Sequence, residues 1–274
     1  MPALHFRPVH RQADTAHPRL PTGLTHVNEL LVFIAVGVVA QLVDGALGMA
    51  YGVTSAGLLM ALGMPPVAAS ASVHYAEAFT CGASGISHLL AGNVRRALFL
   101  ALAIPGVIGA LLGTLVAIHV PAEWMRAALT PYLLGMGIFL LFRRHHPPGE
   151  RHDVPAGTAA TGLVAGFADA IGGGGWSALT VTTLLARGLP PRAVVGSVHL
   201  AKCTVSVAAG ISFMLAIGVS HASAVLGLII GGVLAAPFGA FFVRRVPARA
   251  AALLAGLAVL ALGANNMFQL MARA

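Results

Sequence analysis

The residues that stand out chemically are acidic or lysine side chains lying inside otherwise apolar stretches: Asp44, Glu77, Asp169 and Lys202. A charge at the centre of a lipid bilayer costs at least ~2.5 kcal/mol, so such a side chain normally faces a cavity or a partner and marks a functional site. Lys202 is the only lysine in the chain. We therefore expect it to be the main positive charge that a bound anion would meet.

Two histidines accompany these charges. His74 precedes Glu77, and His199 precedes Lys202, in each case by about one helical turn. The polar positions around His74 recur three or four residues apart and so share one helix face: Ser70, His74, Glu77, Cys81, Ser84 and His88. Such a face must point at protein or water, not at lipid. The histidines are either hydrogen-bonded structural groups or groups that handle substrate or protons, and the spacing leaves both open.

Glycine-rich breaks follow the two aspartates. The first break contains Asp44, Gly48, Tyr51 and Gly52; the second contains Asp169, Gly172, Gly173, Gly174, Gly175 and Trp176. Glycines let backbone N–H groups approach a bound group, and the start of the next helix favours an anion. Close helix packing through small residues is the alternative. Each aspartate is predicted either to cap the following helix or to handle protons.

These patterns define the predicted site. The candidate substrate-binding residues are Gly48, Tyr51, Gly52, His74, Glu77, Gly172, Gly173, Gly174, Gly175, Trp176, His199 and Lys202, with Asp44 and Asp169 in the helix-cap or proton-handling role. No catalytic residue, metal site or cofactor is predicted.

The composition tells us which elements must position these residues. Hydrophobic residues make up 58% of the chain and charged residues only 9%, whereas a soluble domain carries roughly a quarter charged residues. Apolar runs of about twenty residues, the length that spans a bilayer, alternate with short arginine clusters. The fold class predicted is an all-α, polytopic transmembrane bundle. The net charge of +8 comes from these clusters and indicates membrane topology, not nucleic-acid binding.

The hydrophobic region consists of two copies of one unit. Asp44 to Val94 aligns without a gap to Asp169 to Val219, at an offset of 125 residues, with Pro-Pro and Ser-Val-His in register. We assign residues 1–26 to a disordered tail, 27–142 to repeat 1, 143–153 to a cytoplasmic linker and 154–271 to repeat 2. Each repeat starts with a glycine-interrupted pair of short helices, giving eight to ten hydrophobic segments in total. Whether these pairs cross the membrane or are re-entrant is left open.

Loop charge indicates that the repeats face opposite ways. The loop with Arg95 and Arg96 has an uncharged counterpart at 218–223, and the uncharged loop at 63–66 has a counterpart with Arg187 and Arg192. Because arginine and lysine stay cytoplasmic, the two repeats are predicted to have inverted topology. Inverted repeats are typical of secondary transporters.

Other functions find little support. The chain has no GxxxxGK[ST] motif for an ATP motor, and no GxSxG or HExxH motif for an intramembrane enzyme. Cys81 and Cys203 are expected to be free thiols. A passive anion channel stays open as an alternative. So does a metal-ion transporter that uses histidine and cysteine ligands on the Ser70 to His88 face.

The glycine break, the Gly-x-Pro-Pro turn and the Ser-Val-His segment together resemble the sulfite exporter TauE/SafE family over Val32 to Leu270. Repeat 2 (GFADAIGGGGWSALTVTTLLARGLPPRAVVGSV) matches the family's glycine signature, whereas repeat 1 has GALGMAYG in its place. The resemblance implies a transporter of sulfite or another sulfur-containing organic anion in a prokaryotic plasma membrane. The expected partners are the lipid bilayer and a small anion, with proton coupling and a homo-oligomer both compatible with the sequence.

Overall fold

The computed structural model describes residues 26–47, 49–142, 151–219, 221–243 and 248–272. These residues form helices and connecting turns, without a strand among them, so the all-α prediction is confirmed. The predicted tail up to residue 25, Gly48 and residues 143–150 of the predicted linker lie outside the described residues.

Each sequence repeat contributes five of the helices described. In the first copy they are α1 (His26–Leu47), α2 (Tyr51–Ala61), α3 (Pro66–Leu90), α4 (Arg96–His119) and α5 (Ala122–Phe142). In the second copy they are α6 (Thr158–Gly172), α7 (Trp176–Ala186), α8 (Pro191–Ile217), α9 (Ala222–Val243) and α10 (Ala248–Met271). The proline-proline turn of each copy sits at the start of α3 or α8, where the missing proline N–H costs nothing.

Several helices have the properties of membrane spans. Among the described helices, α4, α5 and α8 are long and apolar enough to cross a bilayer, with mean hydropathies of 2.3, 1.5 and 1.8. Large apolar side chains such as Leu90, Leu215 and Leu254 are exposed on the outside of the bundle. Exposed apolar area of this kind marks a surface that another apolar phase covers.

The short helices α2 and α7 are each 11 residues long, or about 16 Å, well below the ~30 Å of a hydrocarbon core. This length favours the re-entrant alternative for the α1–α2 and α6–α7 pairs. The helix before the second break, α6, runs to Gly172. The Asp169 carboxylate lies inside its last turn and reaches forward to accept from the N–H of Trp176.

Glycines allow the closest helix contacts. A side chain on Gly162 of α6 would meet the Leu102 carbonyl of α4 at 2.7 Å, and one on Gly113 of α4 would meet the Phe167 carbonyl of α6 at 2.6 Å. The same kind of contact joins α1 to α9, where a side chain on Gly37 would meet the Leu228 carbonyl at 2.8 Å. The repeat relates α4 to α9 and α6 to α1, so the contact between α1 and α9 is the counterpart of the contact between α4 and α6.

Equivalent helices of the two copies run antiparallel where they pack. Along α3 and α8, Tyr75 lies against Gly210, while Gly85, further along α3, lies against Leu200, earlier in α8. The same reversal relates α5 to α10, where Gly137 contacts Leu260. Leu134, earlier in α5, lies against Gly263, later in α10. An inverted repeat requires this relation between its copies. The orientation of the chain relative to a bilayer stays a prediction.

Arginine-bearing loops of both copies meet at one end of the bundle. Arg95 donates from its side chain to the carbonyl of Arg151, whose own N–H donates to the carbonyl of Gly188. Arg187 donates to the carbonyl of Ala156. Arg151 also forms an exposed ion pair with Asp153, and its hydrogen bond lowers the pKa of that carboxyl. The loops that the positive-inside rule predicts to be cytoplasmic are therefore neighbours in the structure.

The loop-charge topology can be tested by single-cysteine labelling in a background without Cys81 and Cys203. Cysteines at the exposed positions Arg96 and Arg192 should react with a membrane-impermeant maleimide only in inside-out vesicles. Cysteines at Glu123 and Ala222 should react in intact cells, because the positive-inside rule places their loops outside. Labelling of Arg96 and Ala222 variants from the same side would contradict the inverted topology.

Candidate functional site

Lys202 lies at the centre of the bundle and is 2% exposed. Its Nζ is 2.8 Å from Glu77 Oε2 and 2.5 Å from Asp169 Oδ2. The ammonium on α8 therefore joins a carboxylate of α3 to one of α6, two helices that belong to different sequence copies. Since a buried charge is tolerated only when it is paired and hydrogen-bonded, this contact fixes the relative positions of three helices.

His74 completes the group that we call the buried ionic cluster: Lys202, Glu77, Asp169 and His74. Its Nε2 lies 3.2 Å from Asp169 Oδ2, and its Nδ1 lies 2.8 Å from the carbonyl oxygen of Ser70. The Ser70 hydroxyl donates to the carbonyl of Ala170. Both ring nitrogens therefore face acceptors, and we assign the doubly protonated imidazolium from these partners. Two cations and two carboxylates then give the cluster a net charge of zero.

The two aspartates have the same local role. Asp169 Oδ1 accepts from the N–H of Trp176, at 3.0 Å, where α7 begins. Asp44 Oδ1 accepts from the N–H groups of Ala50 and Tyr51, at 2.7 and 3.0 Å, where α2 begins. Both carboxylates thus satisfy unpaired N–H groups at a helix start. Asp169 additionally uses its second oxygen in the ionic cluster.

A cavity of about 70 Å³ adjoins the cluster, enough for about five water-sized positions and so for an anion of four or five heavy atoms. It extends from Glu77 and Lys202 towards the C-terminal half of α3, where Ser84 Oγ and His199 Nδ1 are 2.8 Å apart. The lining residues are Gln41, Asp44, Met49, Tyr51, Gly52, Glu77, Thr80, Cys81, Ser84, Gly175, Ser177, His199 and Lys202. Cys81 is a free thiol, as is Cys203.

Only part of the predicted site lines this cavity. Among the predicted residues, the cavity wall contains Asp44, Tyr51, Gly52, Glu77, Gly175, His199 and Lys202. His74 and Asp169 instead belong to the ionic cluster behind Lys202. Gly172, Gly173, Gly174 and Trp176 pack against neighbouring helices. Gly48 lies outside the described residues.

The glycine run of the second copy packs closely against the first copy. A side chain on Gly174 would lie 2.8 Å from the Cα of Gly52, and one on Gly52 would lie 2.8 Å from the carbonyl oxygen of Gly173. The Tyr132 hydroxyl donates to the carbonyl of Gly174. Gly173 and Gly175 adopt positive φ values of 68° and 123°, which side chains disfavour. The packing role considered for these glycines is thus present for Gly173 and Gly174, while Gly175 reaches the cavity.

Sequence reasoning missed several residues around the cavity. Gln41, Met49 and Thr80 line it, although neither the repeat pattern nor the helix spacing singled them out. Tyr132, on α5, donates a hydrogen bond to the glycine run. Tyr132 carried a usable signal, because it is one of three tyrosines in the chain and lies within an apolar span. Nothing in the spacing connected it to a break forty residues away.

The region on the other side of the cluster is filled. Under the repeat offset, Tyr51 corresponds to Trp176 and His88 corresponds to Phe213. Trp176 and Phe213 are both fully buried, and the Phe213 ring lies 5.9 Å from that of His74. The scaffold is therefore pseudo-symmetric while the cavity is not: it occupies one side of the ionic cluster only.

One atom each from His74, Glu77 and Asp169 lies within 4.8 Å of the other two, a spacing that a metal ion could use. The Lys202 ammonium, however, contacts both carboxylates. The protein thus supplies its own cation to these oxygens, and a metal ion would have to displace it.

Apolar helices surround a buried ionic site and a small polar cavity, an arrangement that is typical of membrane transport proteins. The sequence profile described as Sulfite exporter TauE/SafE matches residues 33–266, and the chain belongs to this family of membrane transporters. It is 39% identical over 250 residues to a protein of Bacillus subtilis (strain 168) named "Probable membrane transporter protein YtnM", covering 88% of this chain and 83% of that protein. No solved structure matches the chain significantly.

The contact between the two glycine breaks predicts a specific stability loss. Gly174→Ala should lower the free energy of unfolding by about 2 kcal/mol, because the new methyl group meets backbone that cannot move aside. Gly135→Ala is the matched control, since a side chain there meets nothing within 4 Å. Thermal unfolding of the purified variants measures both. Equal midpoints for Gly174→Ala and the parent would show that the breaks do not pack in this way.

Proposed function

We propose that this transporter is a secondary carrier that moves a small sulfur-containing anion, such as sulfite, thiosulfate or a sulfonate, across a prokaryotic plasma membrane by alternating access. The observation that carries the proposal is the buried Lys202 ammonium in the wall of a small cavity. The family description names a sulfite exporter, which supports this class of substrate. The division into repeats 27–142 and 154–271 is part of the proposal.

Two helix starts face the cavity, and the carboxylates of Asp44 and Asp169 accept from part of their N–H groups. Ser177 in the first turn of α7 and Gly52 in the first turn of α2 both belong to its wall. Helix N-termini carry a partial positive charge that favours anions. The hydroxyl groups of Thr80, Ser84 and Ser177 on the same wall offer hydrogen bonds to oxyanion oxygens.

The one-sided cavity supports alternating access. In an inverted-repeat carrier, the two copies exchange conformations during transport. The side of the site that is packed in one state is therefore open in the other state. Here Trp176 and Phe213 fill the region that corresponds to the cavity. We propose that the opposite state opens this region and closes the space between Ser84, His199 and the ionic cluster.

Counterflow distinguishes this carrier from a passive anion channel. Proteoliposomes loaded with unlabelled thiosulfate should transiently accumulate external [³⁵S]thiosulfate. The reason is that the binding site of an alternating-access carrier reorients across the membrane faster when it is occupied than when it is empty. A channel would only equilibrate the label. Absence of overshoot in vesicles that do conduct thiosulfate would contradict the alternating-access part of the proposal.

The metal-ion alternative rests on the spacing of His74, Glu77 and Asp169. If it holds, Zn²⁺, Co²⁺ or Ni²⁺ should raise the melting temperature of the purified protein, and His74→Gln should abolish that rise. The anion proposal expects stabilisation by sulfite, thiosulfate or a sulfonate instead.

Lys202→Met should weaken thiosulfate binding at least tenfold, a loss of about 1.4 kcal/mol or more, because the only ammonium at the cavity is removed. The substitution also leaves the buried Glu77 carboxylate without its cation, so the free energy of unfolding should fall by about 3 kcal/mol. Calorimetric titration and thermal unfolding measure the two effects separately.

The double variant Glu77→Gln/Lys202→Met separates binding from folding. It keeps Asp169 paired with His74 and leaves no unpaired carboxylate at position 77, so stability should recover. Thiosulfate binding should stay lost. A double variant that binds thiosulfate as the parent does would make Lys202 a structural partner only.

A further inference from the structure

The charge count of the buried ionic cluster restricts how an anion can bind. Lys202 and the His74 imidazolium balance Glu77 and Asp169, so the cluster is neutral before any substrate arrives. An anion beside Lys202 would give this region a net negative charge away from water. Such uncompensated charge is costly in a low-dielectric interior, so another positive charge must enter with the anion.

The two carboxylates of the cluster differ in their capacity to accept a proton. Asp169 is held by three donors: the Trp176 N–H, Lys202 and His74. Glu77 accepts from Lys202 at 2.8 Å and from the Ser206 hydroxyl at 3.4 Å, and it lines the cavity, as Asp169 does not. Protonation of Glu77 would therefore cost fewer hydrogen bonds, and it would release the ammonium towards the cavity.

We propose that Glu77 is the binding site of a co-transported proton, and that one proton enters the site with each anion. The proton breaks the Glu77–Lys202 ion pair, and the anion replaces the carboxylate as the partner of Lys202. The cluster stays neutral for a monovalent anion in both states. This inference rests on the proposed anion site and adds its coupling ion.

The groups that face Glu77 define its competitors for this proton. They are Lys202 and His199 on α8, Asp169 on α6, Tyr51 on α2, Asp44 on α1, and His74 and Cys81 on α3 itself. Lys202 and His74 already carry protons in the assigned state, and Asp44 is held by two backbone N–H groups. Among the described groups that line the cavity, His199 is the competitor that carries neither a fixed proton nor a helix-cap contact.

Polar side chains lie between the cavity and the end of the bundle that carries Arg95 and Arg96. From the cavity, Ser84 contacts His199, whose ring lies 5.9 Å from that of His88. His88 Nδ1 then lies 3.2 Å from Asn93 Nδ2, in the turn between α3 and α4. This row of groups offers a route by which a proton could reach the cavity.

The proposal fixes the sign of the pH effect. If binding takes up a proton, anion affinity must rise as pH falls, by up to tenfold per pH unit where the free site is unprotonated. In Glu77→Gln the side chain is neutral at every pH and imitates the protonated form. Its anion affinity should be independent of pH and should equal or exceed that of the parent at high pH.

The test is calorimetric titration of the purified protein with thiosulfate and with methanesulfonate, whose charges are constant between about pH 5.5 and about pH 8.5. Each titration is repeated in two sulfonate-free buffers of different ionisation enthalpy, so that the difference in heat counts the protons taken up. Glu123→Gln is the matched control, because it removes an exposed carboxylate at the start of α5. His199→Gln tests the competing proton acceptor.

The expected result is uptake of about one proton and an affinity slope of about tenfold per pH unit in the parent, Glu123→Gln and His199→Gln, both lost in Glu77→Gln. Parent binding without proton uptake overturns the coupling and leaves the anion site standing. Loss of the slope in His199→Gln, with the slope kept in Glu77→Gln, moves the proton to His199 and overturns the assignment. Failure of the parent to bind either anion at any pH overturns the proposed function together with this inference.

Discussion

The position of one ammonium group governs the rest of this structure. Lys202 is buried in a bundle whose outer surface is apolar, so lipid headgroups cannot solvate it. It is stable there because Glu77 and Asp169 meet it from α3 and α6, and because His74 balances the second carboxylate. These contacts couple both sequence copies through their charges. Any movement that separates α3, α6 and α8 must therefore replace the lost ion pairs with something else.

The broken helices make this arrangement possible. Each short helix starts deep in the bundle, where its unpaired N–H groups would be costly without a partner. Asp44 and Asp169 supply the acceptors. Gly174, between Asp169 and α7, and Gly52, in the first turn of α2, let the two breaks touch, which no side chain would permit. The same residues thus terminate one helix, begin the next and bring both copies to the ionic cluster.

Pseudo-symmetric helices carry a site that is not symmetric. The packed pairs α1–α9 and α4–α6 exchange under the repeat relation, and α3 meets α8 in antiparallel fashion. At the site, however, Glu77 in one copy corresponds to Lys202 in the other, and Tyr51 corresponds to Trp176. Opposite charges at equivalent positions can pair with each other, whereas identical charges would repel. Different side-chain volumes at equivalent positions put the cavity on one side of the pair.

The sequence by itself determined the membrane character, the repeat and the helical class, and its candidate residues included all four members of the ionic cluster. These follow from local or pairwise properties: apolar run length, an alignment offset, and the cost of a charge among apolar residues. It did not decide between binding and packing for Gly173 and Gly174, and it missed Gln41, Thr80 and Tyr132. Those roles depend on which helix faces approach each other, and neither spacing nor composition records that. Only the tertiary structure brought Asp169 to Lys202 and placed the cavity beside Glu77, because contacts between helices distant in sequence arise from packing of the whole bundle.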